Sequence, residues 1–349
     1  MASPFPRLLI ARAPYGALVA YEAVGLGNAI MDALVKLEDD ALLVELGLTR
    51  GQMHPVDHAR WLEVMQRVRP LGVEFHSGGS CANTIATLGL CGADVIYGGQ
   101  VGADEFGVRY AQSLMASCGG HALHVDPVLP TGKCLSLISA KDGERTMLTD
   151  LGAAIHLAGL GDLATHIGTS RLFHTSGYKF LGGAMRETAF QAIQIAEANN
   201  VAISFDVADP FVARMIGADV EAIIKDHANI AFLNREEAEI VTGKPIEEAI
   251  EALAGWTDTV IVKLGSRGSV VLHGGKRYDI EVYPAKVADT TGAGDTYAGG
   301  FLYGWLRGLP PEKCGELGSR LAALTVGQMG AVVRDRAHLA AVKVQVGVA

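Results

Sequence analysis

From Leu172 onward the chain alternates so regularly that few folds remain open to it. Leu172 to Ser176, Val201 to Val207, Ile230 to Asn234, Val260 to Leu264 and Ser269 to His273 are short apolar runs that read as strands. Between and after them, Met185 to Asn199, Asp219 to Asp226, Glu236 to Thr242, Thr296 to Leu306 and Pro311 to Gln328 read as helices. Strands apolar along their whole length are buried on both faces. With helices between them, they predict an α/β fold with a parallel sheet covered on both sides. In such sheets ligands gather at the carboxyl ends of the strands.

The first half is less regular. Tyr21 to Leu26 reads as a strand ending at Gly27-Asn28, and Leu34 to Leu48 as a charged, periodic helix or lid. Val56 to Arg69 reads as a helix, His76 to Ser80 as a turn, and Cys81 to Leu90 as a helix of small residues. Val95 to Val101 is a strand and Asp104 to Ser117 a helix. Lys133 to Ala140 and Arg145 to Thr149 form a hairpin, which breaks the alternation and is assigned to a small β lid. The residues before Tyr21 read as an extension, 1–20.

Composition narrows the partners. The formal charge is −9 and no block of Lys or Arg occurs, so neither nucleic acid nor an anionic membrane is expected. No apolar run reaches the ~18 residues of a membrane span, and the N-terminal apolar stretch is too interrupted for a signal peptide. The 5 cysteines are scattered without a paired motif, which fits a reducing, cytoplasmic setting.

Chemistry concentrates in Asp289 to Phe301, where the glycine-rich turn Gly292-Ala293-Gly294 stands directly before Asp295 at a helix start. Unpaired first-turn N–H groups attract an anion, and a carboxylate there repels it unless it acts on something. A base beside an anion hole is what phosphoryl transfer to a hydroxyl requires. The plain alternative is a loop whose acid favours the helix dipole.

Other segments carry weaker signals. In Ser77 to Asn83, Gly78-Gly79 allow close approach of a ligand and Asn83 offers both a donor and an acceptor, which suits a polyol; a tight turn with Ser80 as helix cap competes. In Gly25 to Asp32, Ile30 stands where a dinucleotide fingerprint wants glycine, while Asp32 can accept from two neighbouring hydroxyls. Asn234 and Glu237 suit Mg²⁺ held through water, or a capping box. Lys263, Gly265 and Gly268 suit a nucleotide lying against the backbone, or a plain turn. Arg145 on a lid suits a transferring phosphate, or a surface hairpin. His54 and His58 lack the intervening glutamate of a zinc helix, and Ser80 lacks a nucleophile elbow.

Taken in order, these motifs resemble one family, the ribokinase-like carbohydrate and nucleoside kinases, or PfkB family. Gly78-Gly79 with Asn83 is similar to its N-terminal signature, Asp289 to Phe301 to its C-terminal signature, and Asn234 to Glu237 to its Asn-x-x-Glu motif. The resemblance runs from about Tyr21 to about Val333. It implies a three-layer α/β/α Rossmann-like core over 21–349, a lid built from parts of about 33–77 and 122–152, and ATP-dependent phosphorylation of a primary hydroxyl. In family terms Asp295 is the base, Gly292, Ala293 and Gly294 form the anion hole, and Arg145 is the lid arginine. Asn28, Asp32, Gly78, Gly79, Ser80, Asn83 and Tyr178 hold the acceptor. Asn234, Glu237, Lys263, Gly265, Gly268 and Thr291 serve ATP and Mg²⁺, and Asp289 marks a K⁺ site with backbone oxygens from Ala323 to Val332.

The adenosine kinase branch looks nearest, through Gly27 to Asp32, the insert Leu34 to Arg69, Pro130 to Cys134, Arg145 to Ala154 and Asp209 to Phe211. That branch carries aromatic residues where this chain reads Gly177-Tyr178-Lys179-Phe180. The expected acceptor is adenosine, with a ribose or fructose kinase as the alternative and a non-catalytic sensor or a dehydrogenase as more distant ones. Monomer and homodimer are both open.

Overall fold

The computed structural model describes residues 21–348, so the N-terminal extension lies outside it. In chain order the strands are β1 (Ala23–Leu26), β2 (Ile30–Leu37), β3 (Met53–Pro55), β4 (Glu74–Gly78), β5 (Val95–Gly102), β6 (Ala122–Asp126) and β7 (Gly132–Ser139). They continue with β8 (Arg145–Asp150), β9 (Leu172–Ser176), β10 (Ala202–Asp206), β11 (Ile230–Asn234), β12 (Thr259–Lys263), β13 (Ser269–His273) and β14 (Lys276–Ile280).

Nine strands form one sheet, ordered β14-β13-β12-β11-β10-β9-β1-β5-β6, and only the β12-β13-β14 edge is antiparallel. Strand order reverses at β1, whose neighbours are β5 and β9. The crevice at the carboxyl ends of β1 and β9 is where a ligand fits such a sheet. The strands alternate their side chains between two apolar layers. One packs Ala23, Leu172, Phe232 and Ile261 against Ile85, Phe301 and Leu321. The other packs Val24, Phe173, Phe205 and Val260 against Ile193, Ile223 and Ile250. The three-layer α/β/α core is therefore as expected, and its layers hold the strand ends that carry the site.

The helices Ser80–Leu90 and Ala293–Leu306 meet closely in the first of these layers. A Cβ on Gly299 would lie 2.6 Å from the Thr87 Cβ and 2.9 Å from the Thr84 carbonyl. Their small residues thus bring two helix starts together over the sheet.

The second sheet has five strands in the order β3-β8-β7-β2-β4. The hairpin is β7 and β8, antiparallel, while β2 runs parallel to β7. One face is sealed by Leu43 and the helix His58–Val68, whose Trp61, Val64 and Val68 pack on Ala33, Val35, Leu135 and Leu148. Its other face carries Asp32 and Arg145 toward the main sheet.

Several local expectations are corrected. Leu34 to Leu48, expected as helix or lid, begins as the end of β2 in the second sheet and continues into a short helix, Ala41–Glu45. In the strand Lys36 is the solvent-facing position, with Ala33, Val35 and Leu37 alternating inward. His76 to Ser80 is the end of β4, one turn residue and a helix start rather than a turn throughout. Ala122–Asp126, expected within the small sheet, pairs with β5 at the edge of the large one. The helix Pro210–Asp226 begins well before Asp219, with a break at Ile216. Lys276–Ile280, Leu163–Thr169, Ile246–Leu253 and Arg336–Val346 were not foreseen. They are edge or peripheral elements that expose one side and show no continuous apolar run.

Candidate active site

Asp295 lies in the first turn of the helix Ala293–Leu306, beyond Gly292, whose φ of 70° turns the chain into the helix. Its two oxygens are both held: Oδ1 accepts from Ser80 Oγ at 2.8 Å and Oδ2 from Asn83 Nδ2 at 2.8 Å. Ser80 therefore spends its hydroxyl on Asp295, not on a helix cap. The first-turn amides of Gly294 and Asp295 have no helical carbonyl behind them. Burial pushes the Asp295 carboxyl above its ordinary value. Hydrogen bonds from Asn83 and Ser80 and the charge of Lys263 hold it down, while Asp206 adds to the rise.

Asp32 faces the same space from β2. A Cβ on Gly78 would lie 2.1 Å from Asp32 Oδ2, so only glycine at 78 leaves room for this carboxylate. Tyr110 Oη donates to the Gly78 carbonyl at 2.9 Å and holds that strand end. Burial pushes the Asp32 carboxyl up to about 7; Arg145 opposes the rise and Asp295 and Asp289 add to it. Asn28 is buried nearby on the β1–β2 connection, and its Oδ1 has no partner among the described residues. Gly79 opens the helix that carries Ser80 and Asn83.

Arg145, at the start of β8, donates from Nη1 to Thr291 Oγ1 at 2.7 Å and so joins the small sheet to the turn before Gly292. Thr291 donates from N and Oγ1 to Asp289 Oδ1 at 2.9 and 2.5 Å, and the Gly330 N–H donates to Asp289 Oδ2 at 3.1 Å. Asp289 thus stitches this turn to the loop around Gly330.

Tyr178 reaches the cleft from the turn after β9 and donates to Asp209 Oδ2 at 2.7 Å. Asp209 also caps the helix Pro210–Asp226 through the Phe211 N–H. Lys179 turns inward instead: it is fully buried, and burial lowers its ammonium to about 8.

Asn234 and Glu237 form a complete capping box. Glu237 Oε2 accepts from the Asn234 N–H at 2.7 Å and Oε1 from Asn234 Nδ2 at 2.6 Å. Glu237 is 1% exposed, and burial raises its carboxyl. Both oxygens are engaged, so Glu237 does not fit a direct Mg²⁺ ligand; a contact through water is the arrangement its donor set allows.

Lys263 departs from its expected company. Gly265 and Gly268 form a short turn in which Gly268 lies against the Ile280 carbonyl of β14. Lys263 turns inward to Asp206, with Nζ 2.9 Å from Oδ2 and 3.3 Å from Oδ1. Asp206 was missed from the sequence, although its position at the end of β10 obeys the strand-end rule. His54 and His58 also separate, His54 to the Thr49 backbone and His58 to Asp150.

Fold and site together define a class: phosphotransferases with an alcohol group as acceptor. The family profile described as pfkB family carbohydrate kinase matches residues 46–336, and the chain belongs to that family. It is similar to an uncharacterized sugar kinase of Archaeoglobus fulgidus, 31% identical over 249 residues that span 70% of this chain and 96% of the relative. A solved probable sugar kinase from Rhizobium etli CFN 42 superposes with a TM-score of 0.86 at 28% identity, covering 94% of this chain and 99% of that one. An adenosine kinase from Sinorhizobium meliloti gives 0.85 at 29% identity, covering 93% and 99%. The chain is thus a sugar or nucleoside kinase of the pfkB family, and no described helix is long and apolar enough to cross a membrane.

Proposed function

We propose that the chain transfers the γ-phosphoryl group of ATP to the primary hydroxyl of a nucleoside, adenosine before others, with Asp295 as base. The observation that carries this reading is the grip of Ser80 and Asn83 on Asp295 at the amide end of a helix, opposite the open carboxylate of Asp32. Asp32 accepts hydrogen bonds from neighbouring hydroxyls of the acceptor, between Asn28, Gly78 and Gly79. That leaves its primary hydroxyl against Asp295.

The hydroxyl proton passes to Asp295 as the oxygen–phosphorus bond forms. The bond to the β-phosphate oxygen breaks, and that oxygen keeps the electron pair in ADP. The amides of Gly294 and Asp295 face the charge on the phosphoryl oxygens, and Arg145 meets it from the small sheet, which acts as a lid and excludes water. Glu237 would hold Mg²⁺ through water, and the ion would supply charge neutralisation to the phosphates. K⁺ beside Asp289 would steady the turn at Thr291.

Adenosine is favoured by the run Asn28 to Asp32, by the helix-covered insert and by the likeness to the Sinorhizobium meliloti adenosine kinase. The sugar kinase likenesses from Archaeoglobus fulgidus and Rhizobium etli keep ribose or fructose as the second reading. ADP release measured with adenosine, inosine, cytidine, ribose and fructose decides between them. Turnover with adenosine at least tenfold above the sugars is expected; a sugar as best substrate overturns the nucleoside assignment.

A further inference from the structure

Asp206 is fully buried, and its carboxylate is shared between the Ala208 N–H at 3.0 Å and the Lys263 ammonium. Lys263 reaches it diagonally across β11, its Nζ passing 5.9 Å from the Phe232 ring centre. Its stem runs directly under the anion turn. A Cβ built on Gly294 would sit 3.3 Å from Nζ and 3.8 and 3.9 Å from Cδ and Cε. The side chain keeps 16% exposure, while Asp206 keeps 1%. Around this point stand the acids Asp206, Glu237 and Asp295, whose carboxylate forms would repel an incoming triphosphate. Lys263 is the cation that the core sheet itself sets among them.

We propose that Lys263 is a catalytic cation at the phosphoryl-transfer centre, and that Asp206 is the positioning residue that holds it beneath Gly294. The acceptor oxygen bonds to the γ-phosphorus, and the β-phosphate oxygen leaves with the electron pair. The hydroxyl proton goes to Asp295. Lys263 exchanges no proton; it leans from Asp206 toward the phosphoryl oxygens and offsets their charge. Gly294 thus sits with its amide open to the anion and the lysine stem in contact range of where a Cβ would be. This rests on the phosphotransferase reading of the turn.

Lys263 and Asp206 also act on Asp295 with opposite signs, the first lowering and the second raising its carboxyl. The other groups facing Asp295 are Ser80 and Asn83 from one helix, Asp32 from the small sheet, and Tyr178 and Cys81. These stay constant in the test.

The test is steady-state kinetics and melting of Lys263→Met, Asp206→Asn and the double variant, with the best acceptor of the wild type. Lys263→Met should lower kcat by about a hundredfold, in the range of losing one preorganised donor, with acceptor KM near normal. Its acid limb of kcat should move to higher pH, and that of Asp206→Asn to lower pH. The double variant removes both members of the buried pair together, so it should fold even where a single variant does not. Its melting temperature should recover toward wild type while kcat stays about a hundredfold down. A double variant with wild-type kcat overturns the proposal and makes the pair structural. Asp295→Asn, run alongside, separates the two claims. If it is inactive while the double variant is active, only the role of Lys263 falls. If it is active, the reading of the turn falls.

Discussion

Asp295 and Asp32 are two acids in one cleft, and the molecule treats them in opposite ways. Asp295 is held by two side-chain donors, Ser80 and Asn83, from a neighbouring helix. Asp32 has been given space by Gly78 and an Arg145 charge, and none of the main influences on its carboxyl is a hydrogen bond. A carboxylate with fixed partners keeps its orientation and a restrained basicity, which suits a base. One with open oxygens at the substrate's edge suits a receptor for hydroxyls. Under the proposed function, the difference makes the large sheet the rigid half of the site and the small sheet the half that the substrate completes.

The strongest challenge to that division is Asp295→Asn, which should lower kcat by about 10²–10⁴ while leaving acceptor binding intact, as read by a thermal-shift titration. Preserved turnover would remove the base. Asp32→Asn should act mainly on KM, raising it about 10- to 100-fold, the worth of a charge-assisted hydrogen bond. A pure kcat loss would mean that the two acids had been assigned in reverse.

A third comparison uses pH. Asp32 is raised from 3.8 to about 7 in the fold, so the ligand-free protein favours its protonated form. Its contribution to stability is full below the unfolded value and is lost as pH rises through about 7. The melting temperature should therefore fall over roughly pH 4 to 7, less so in Asp32→Asn, while acceptor binding to the carboxylate tightens over that range. The same slope in both proteins would detach it from Asp32. Gly78→Ala forces Asp32 aside, since the new methyl would lie 2.1 Å from Oδ2, and should raise acceptor KM with kcat little changed. The smallest effect is expected of Tyr178→Phe, which removes one hydrogen bond to Asp209 and should cost about 1 kcal/mol in unfolding experiments.

Legibility in the sequence followed burial. Leu172 to Ser176, Ile230 to Asn234 and Ser269 to His273 were readable to the residue, because each is short and buried on both faces over nearly its whole length. β6 and β14 were not, because edge strands alternate between core and solvent and their apolar content is diluted. At the site, Asp295, Asn83 and Asp32 were visible through their glycine-rich surroundings. Asp206 was invisible: nothing beside it in the chain distinguishes a strand-end acid that faces a lysine from one that faces water. The sequence sets Lys263 beside Gly265 and Gly268, which adjoin it in the chain, but does not show Gly294, which adjoins it in space.

By itself the sequence determined the alternation of strands and helices, the family, and which glycines precede which acids. Those properties are local, set by side-chain period and by backbone freedom at a few positions. Only the tertiary structure decided which donors grip Asp295, that Arg145 reaches Thr291, and that Lys263 lies under Gly294 paired with Asp206. These contacts join residues far apart along the chain. They exist because the parallel order of β10, β11 and β12 and the close crossing of two small-residue helices bring those side chains into one low-dielectric space.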